Sequence, residues 1–203
     1  MIIEIGTSDF RTQAGQVDGV FIEPVKYYFD RLKGIVKELQ VRPNGSIRYN
    51  CATHFENVAI SDYEGEATMY YVDRDTIVNY CLPEWVAGCA SIDDFHPSVL
   101  AVFKERGLLP ATLCSTVDIK RVRIKSIIDK YNITSLDLLK IDTEGHDCII
   151  LNDYINTVEI LPKVIQFEAN ILSDPKEVAK VCARLKPLGY TCIKAQEDMI
   201  CSL

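Results

Sequence analysis

Basic runs, C-x-x-C motifs and long apolar stretches are all missing from this chain of 203 residues. Lys and Arg number 22 against 29 Asp and Glu, a net charge of −7, so there is no basic stripe to follow a phosphate backbone and nucleic acid is not expected as a partner. No apolar stretch approaches the roughly 20 residues that a membrane helix needs, and the opening "MIIEIG" lacks the charged region and long apolar core of a signal peptide. The expectation is a cytoplasmic protein without membrane insertion. Eight cysteines occur, but none forms a C-x-x-C pair, which removes the usual zinc and redox patterns. Contexts such as "HDCIIL" and "GYTCIKA" are apolar, so the thiols are expected to be reduced and mainly buried. A G-x-G-x-x-G loop is absent too: Gly6 follows the first apolar run, with Ser8 and Phe10 where further glycines would stand, and this argues against a dinucleotide pyrophosphate.

What is present is a composition of 48% hydrophobic and 25% charged residues, ordinary for one globular domain over residues 1–203. Short β-branched or apolar runs at Ile2 to Ile5, "GVFIE" (19–23), "NVAIS" (57–61), "DLLKI" (137–141) and "KVIQFE" (163–168) read as buried strands. "RVRIKSI" (121–127) and "ATMYYV" read as further strands. Helical spacing runs through Val25, Tyr28, Phe29, Leu32, Ile35, Val36 and Leu39 after Pro24, through "HDCIILNDYI", and through "DPKEVAKVCARLKPLG". "YTCIKA" and "DMICSL" read as a closing strand pair. Buried strands alternating with helices predict an α/β fold, a mostly parallel sheet with an antiparallel edge hairpin. Residues 73–115, with a helix near Ser98 to Arg106, are the least regular and read as a cap inserted over the substrate rather than a second domain.

In an open parallel sheet ligands gather beyond the carboxyl ends of the strands. The residues there are Gly6, Thr7, Ser8 and Asp9, then Glu23, then Ser61 and Asp62, then Asp142 and Glu144, then Glu168 and Asn170, an acidic edge. A carboxylate at Glu23, 17 residues after Gly6, can grip a ribose diol. A ligand with a ribose but no phosphate fits, and S-adenosylmethionine (SAM) is one. Its ribose suits Glu23 beside Pro24, its cationic methionyl end suits Asp9 or Glu4, and its adenine suits Ser61 and Asp62.

"IEIGTSDFRT", "VFIEPVKYYFDRL", "NVAISDYEG", "LDLLKIDTEGHDCIIL" and "VIQFEAN" resemble, in order and spacing, the motifs of the FkbM-type SAM-dependent methyltransferases. The resemblance covers the chain apart from residues 73–115. It implies a Rossmann-like class I methyltransferase with a seven-stranded sheet and helices on both faces, moving a methyl group from SAM to a hydroxyl oxygen, often of a sugar or natural product. By position, Gly6, Thr7, Ser8 and Asp9 match the SAM loop, Glu23 the ribose acid, and Asp142 and Glu144 the motif carboxylates. The chain departs from the family pattern at Ser8 and Phe10, and the short segment from Gly6 to Glu23 leaves room for a helix of only a turn or two.

An acceptor hydroxyl must be aligned and lose its proton. Asp142 or His146, with Glu144 beside them, can take it. Alternatively Asp142, Glu168 and Asn170 can hold Mg²⁺ or Mn²⁺, an arrangement that resembles metal-dependent O-methyltransferases. Structural uses compete: Asp147 suits the dipole of a helix N-terminus, His146 suits solvent, and His96 with Asp93 and Asp94 in the cap suits either contact with the acceptor or, more simply, an ordinary loop cluster. Trp85 and Tyr80 suit either stacking on a sugar or packing the cap. The acceptor is expected to be a small molecule or glycan, and the domain is expected to be fused to, or to work with, glycosyltransferase domains. The alternatives are a lipid, polyketide or protein acceptor, or a SAM-binding module without activity.

Overall fold

The computed structural model describes residues 1–7, 12–41, 44–92 and 94–203. Strand β1 (Ile2–Ile5) and β2 (Gly19–Ile22) lead into helix α1 (Lys26–Gln40), followed by β3 (Thr53–Glu56), β4 (Ala59–Ile60) and β5 (Gly65–Tyr71). The cap contributes α2 (Arg74–Asn79), a short 3-10 turn at Glu84–Gly88, β6 (Ser91–Ile92), α3 (Pro97–Glu105) and α4 (Pro110–Leu113). After it come β7 (Ser115–Val122), α5 (Ile124–Lys130), β8 (Leu138–Ile141), α6 (Asp147–Thr157), β9 (Val164–Glu168), α7 (Pro175–Leu185), β10 (Thr191–Ala195) and β11 (Asp198–Ser202).

Seven strands form the main sheet in the order β3-β2-β1-β8-β9-β11-β10. The pairs from β3 to β9 are parallel, while β11 runs antiparallel to both β9 and β10. This is the predicted α/β architecture, a Rossmann-like sheet with an antiparallel edge. Strand register explains the two faces, because side chains alternate along each strand. Ile3 lies level with Val20 and Leu139, and Ile5 with Ile22 and Ile141. These residues join Ile165 and Phe167 under α5, α6 and α7 in the largest apolar cluster. Ile2 and Phe21 point to the opposite face, where Leu32 and Val36 of α1 cover them. Helices therefore lie on both faces. Between β1 and β2 no helix forms among the described residues.

Three expectations need correction. "NVAIS" is not the third strand of the main sheet: Ala59 and Ile60 pair with Arg121 and Val122 of β7 in a second sheet, ordered β4-β7-β5-β6, and the edge place is taken by Thr53–Glu56. An edge strand of four residues that carries His54 and Glu56 has too little apolar pattern to stand out. "RVRIKSI" is half strand and half helix, since Ile124, Ile127 and Ile128 have helical spacing and are buried on one side of α5. Finally, Cys192 and Cys201 are disulfide-bonded, with Cα atoms 4.0 Å apart. They face each other across β10 and β11, a closeness that strand pairing creates and sequence spacing conceals. Of the six free cysteines only Cys89 is fully buried, so burial is less general than expected.

The cap surrounds its own apolar cluster, including Ile77, Val86, Val99 and Phe103, but that cluster is completed by Val25 and Tyr28 from the start of α1. The Tyr28 hydroxyl donates to the Val72 carbonyl, fastening α1 to the cap's first residues. The cap is thereby anchored directly above the end of β2. No helix among the described residues is long and apolar enough to cross a membrane.

Candidate active site

The carboxyl ends of β1, β2 and β8 meet at one edge of the sheet. Gly6 and Thr7 both donate their N–H to the Ile22 carbonyl, at 3.0 and 3.1 Å, which ties the end of β1 to β2. Gly6 has φ +76°, and a Cβ built on it would lie 1.7 Å from the Asp142 carbonyl oxygen, so β1 can reach the loop after β8 only through glycine. Thr7 is buried and its hydroxyl bonds to backbone of Glu4 and Ile22, a structural use. Ser8 and Asp9 lie outside the described residues.

A cavity of about 350 Å³ opens at this edge under the cap. Gly6, Glu23, Pro24, Asp142, Glu144 and His146 line it on the sheet side, facing cap residues such as Ser91, Ile92 and His96. Glu23 is buried, and its Oε1 accepts from the Val25 N–H at 2.7 Å. Asn57 donates to the carbonyls of Glu23 and Pro24, holding this turn in place. Glu4 is not among the lining residues: its carboxylate accepts from Lys140 at 3.0 Å, from the Thr12 hydroxyl and from the Gln13 N–H, a buried ion pair in mid-sheet.

The loop from β8 to α6 divides its three carboxylates between two tasks. Asp147, the first residue of α6, is buried and accepts from the Thr143 N–H, the Thr143 hydroxyl and, at 3.0 Å, the Glu168 N–H. It braces the loop and β9 together, which is more than a favourable position at a helix N-terminus. Asp142 and Glu144 face the cavity. Glu144 has φ +53° and Gly145 φ +101°. A left-handed conformation at a side chain such as Glu144 costs about 1 to 3 kcal/mol and is retained where the surroundings fix it.

Carboxylate oxygens of Asp142, Glu144 and Glu168 lie within 4.8 Å of one another. Burial, opposed by Lys140 and reinforced by Glu144 and Asp147, raises Asp142 to about 6. Burial and the charges of Glu144 and Asp142 push Glu168 up to about 9. Asn170 is not placed as a ligand: its Nδ2 donates to Glu168 Oε1 at 2.6 Å and its Oδ1 accepts from the Leu172 N–H at 2.8 Å, so both ends are engaged in orienting Glu168. Glu144 stands where the sequence suggested Asn170.

These raised carboxyls set the sign of a pH effect. Between the ordinary carboxyl range and about 9 the folded protein holds a proton at Glu168 that the unfolded chain has lost, so stability from this group is full below about 4.5 and is lost as pH rises through 9. With a chelator present, the unfolding free energy from denaturant titrations should fall from pH 6 to pH 9, this group contributing a slope of at most about 1.4 kcal/mol per pH unit. Glu168→Gln should flatten that slope; an unchanged slope in the variant would place the proton elsewhere.

His146 also lines the cavity, and burial lowers its pKa, so it is neutral at physiological pH. Ser61 Oγ lies 3.1 Å from His146 Nε2 and 3.2 Å from Asp62 Oδ1. The hydroxyl has one proton, and the carboxylate is the stronger acceptor, so His146 donates from Nε2 and keeps Nδ1 as its basic nitrogen. Ser61 and Asp62 thus form a chain behind His146 and are not among the lining residues; the apolar wall there is Val58, Ala59 and Ile60.

A model of the Methyltransferase FkbM domain matches residues 6–192. The chain belongs to the FkbM methyltransferase family. Searches of curated proteins and of solved structures each returned no match. As an FkbM member the protein is a SAM-dependent methyltransferase, and the cavity at the sheet edge is the place where its acids and its cap converge.

The cap reaches this methyltransferase's site through a residue whose ordinary loop use was the stronger expectation. His96 is no ordinary loop residue: it is buried at the start of α3, lines the cavity and lies 3.4 Å from Glu144 Oε2. Cys89 offers its sulfur to the same group of atoms. Burial and the Glu144 charge raise its pKa, keeping it a thiol. The signals for His96 in the sequence are a place in the cap beside Asp93 and Asp94 and a position directly before a Pro-initiated helix, and neither names Glu144 as its neighbour. Asp94 is exposed and bonds to the Phe95 N–H, and Asp93 lies outside the described residues. Trp85 and Tyr80 are each 46% exposed and are not among the lining residues.

Proposed function

We propose that this FkbM protein methylates a hydroxyl oxygen of a neutral sugar or glycan, with Glu23 holding the ribose of SAM and Asp142 accepting the hydroxyl proton. The observation that carries this reading is the charge of the cavity: Glu23, Asp142 and Glu144 line it, and no Lys or Arg does among the described residues. A phosphorylated or carboxylated acceptor would be repelled, while a polyol finds hydrogen-bond acceptors.

The residues suit SAM in kind. Glu23, fixed by Val25, accepts from a diol; Ile60 and Met69 offer apolar surface to a base; the acids favour a cationic end. Bound SAM supplies an activated methyl group. Asp142, raised to about 6, is ionised at neutral pH yet more basic than an ordinary carboxylate, which suits a general base. Neutral His146 stands beside it as a second acceptor. Met69, Ile92 and Leu172 in the lining favour a second reading, an acceptor with an apolar body such as a lipid or polyketide alcohol.

The test is S-adenosylhomocysteine formation across neutral glycosides, their phosphates, and lipid or polyketide alcohols. Turnover should appear on a neutral glycoside and vanish on its phosphate. Asp142→Asn should lower kcat about 100-fold or more while SAM affinity holds. Wild-type kcat in that variant would remove Asp142 from the proton transfer, and turnover confined to the apolar alcohols would select the second reading.

A further inference from the structure

Two groups of metal-competent side chains share Glu144: Cys89, His96 and Glu144 on the cap side, and Asp142, Glu144 and Glu168 on the sheet side. The tautomer of His96 decides between them. The Ser98 N–H donates to His96 Nδ1 at 3.2 Å, so Nδ1 presents its lone pair to that donor and the ring proton sits on Nε2. A protonated Nε2 directed at Glu144 Oε2 has nothing to offer a cation. His96 Nε2 lies 3.4 Å from Glu144 Oε2 without hydrogen-bonding to it, so it faces that carboxylate as a neighbour and not as a ligand.

Each group holds one buried atom without a hydrogen-bond partner, but in the cap-side group it is the protonated His96 Nε2, which cannot ligate, whereas in the carboxylate group it is an acceptor oxygen. Glu168 is more than nine-tenths buried, its Oε1 is taken by Asn170, and its Oε2 has no hydrogen-bond partner. A buried oxygen left in this way is costly unless something binds it. Its two acidic neighbours place their oxygens within 4.8 Å of Glu168's and of each other. Oxygens on opposite sides of one ion are about 4.2 Å apart for Mg²⁺ and up to about 5.2 Å for Ca²⁺, so a single hard cation can touch all three. Oxygen-only ligands select this class over zinc or copper.

We propose that Asp142, Glu144 and Glu168 form a divalent-cation site at the floor of the acceptor cavity, with Asn170 orienting Glu168. The inference rests on the methyltransferase reading above and deepens it. Three protein oxygens leave coordination positions for the acceptor's own oxygens, so the substrate would carry neighbouring hydroxyls that reach the ion together. A cation held there would acidify a bound hydroxyl, and His146, which lines the cavity and is not one of the three ligands, would be the residue to receive its proton.

The experiment is titration of the full chain with Mn²⁺, followed by loss of the free-ion electron paramagnetic resonance signal, with SAM affinity measured calorimetrically on the same samples. One Mn²⁺ per chain is expected, weakened roughly 10-fold or more in Glu168→Gln and in Asp142→Asn, with SAM affinity retained in both. Absence of Mn²⁺ binding in a protein that binds SAM overturns the cation site and leaves the methyltransferase reading standing. Wild-type Mn²⁺ affinity in both variants also overturns it, since the ion is then elsewhere. So does displacement of Mn²⁺ by saturating SAM, which would assign the three acids to the cofactor's cationic end. Failure to bind SAM strikes the methyltransferase reading instead, and the Mn²⁺ titration still reports on the site.

Discussion

Gly6→Ala should abolish the cooperative native state or lower its melting temperature by about 10 °C or more. Two independent costs meet at this residue. The left-handed φ of +76° penalises any L side chain by about 1 to 2 kcal/mol. The larger cost is steric, because the new methyl carbon would sit 1.7 Å from the Asp142 carbonyl oxygen, and backbone cannot yield as a side-chain tip does. The Asp142 N–H donates to the Ile5 carbonyl at 3.0 Å, so retreat of that loop breaks the join between β1 and β8 at the centre of the sheet. A loss beyond about 4 kcal/mol is the expected scale, and for a chain of this size each kcal/mol moves the transition by roughly 2 to 4 °C. Circular dichroism melts of the variant beside Gly45→Ala separate the two costs. Gly45 has a similar φ of +80° with open space around it, so it carries the torsional cost alone. Equal losses at both positions would show that the contact with Asp142 is relieved without disrupting the sheet.

What could be read from the sequence follows the strength of local pattern. β1, β2, β8 and β9 are central strands, mostly apolar apart from Glu4, Lys140 and Gln166, and their runs end abruptly in polar residues, so both the strands and the edge where their ends meet were legible. β3 was not, since an edge strand needs only one covered face and Thr53–Glu56 shows no clear alternation. α5 was misread because Ile124, Ile127 and Ile128 follow directly on a true strand, and β-branched residues serve either period. At the site, sequence order gave which residues follow a strand but not where their side chains turn. Ser61 and Asp62 follow β4 as expected, yet they reach His146 rather than line the cavity. Asn170 follows β9 as expected, yet it is spent on Glu168 and Leu172. Glu144 and His96 meet across more than 40 intervening residues, a contact that depends on how the cap folds back and that no spacing rule contains.

Glu23 is the position where a single substitution should cost the most SAM affinity. Its carboxylate lies at the end of β2, buried, with Oε1 held by the Val25 N–H at 2.7 Å, so it meets a ligand already oriented and little ordering entropy remains to be lost. Hydrogen bonds to a charged group contribute about 1.5 to 3 kcal/mol, and on the ribose assignment Glu23→Ala should weaken SAM by about 10- to 100-fold. The same change removes the acceptor for the Val25 N–H just before α1, with about 1 kcal/mol of stability lost as well. Glu23→Gln distinguishes the two effects. An amide oxygen can still accept from Val25, so stability should return close to wild type, whereas the amide group replaces an acceptor with a donor and leaves a ribose hydroxyl unmatched. Calorimetry should therefore find the glutamine variant folded but still weak for both SAM and S-adenosylhomocysteine. Adenine alone, which has no ribose, should lose nothing in either variant. Were SAM to bind Glu23→Gln as tightly as wild type, the carboxylate would be a structural anchor for α1, and the ribose would have to be held elsewhere along the cavity.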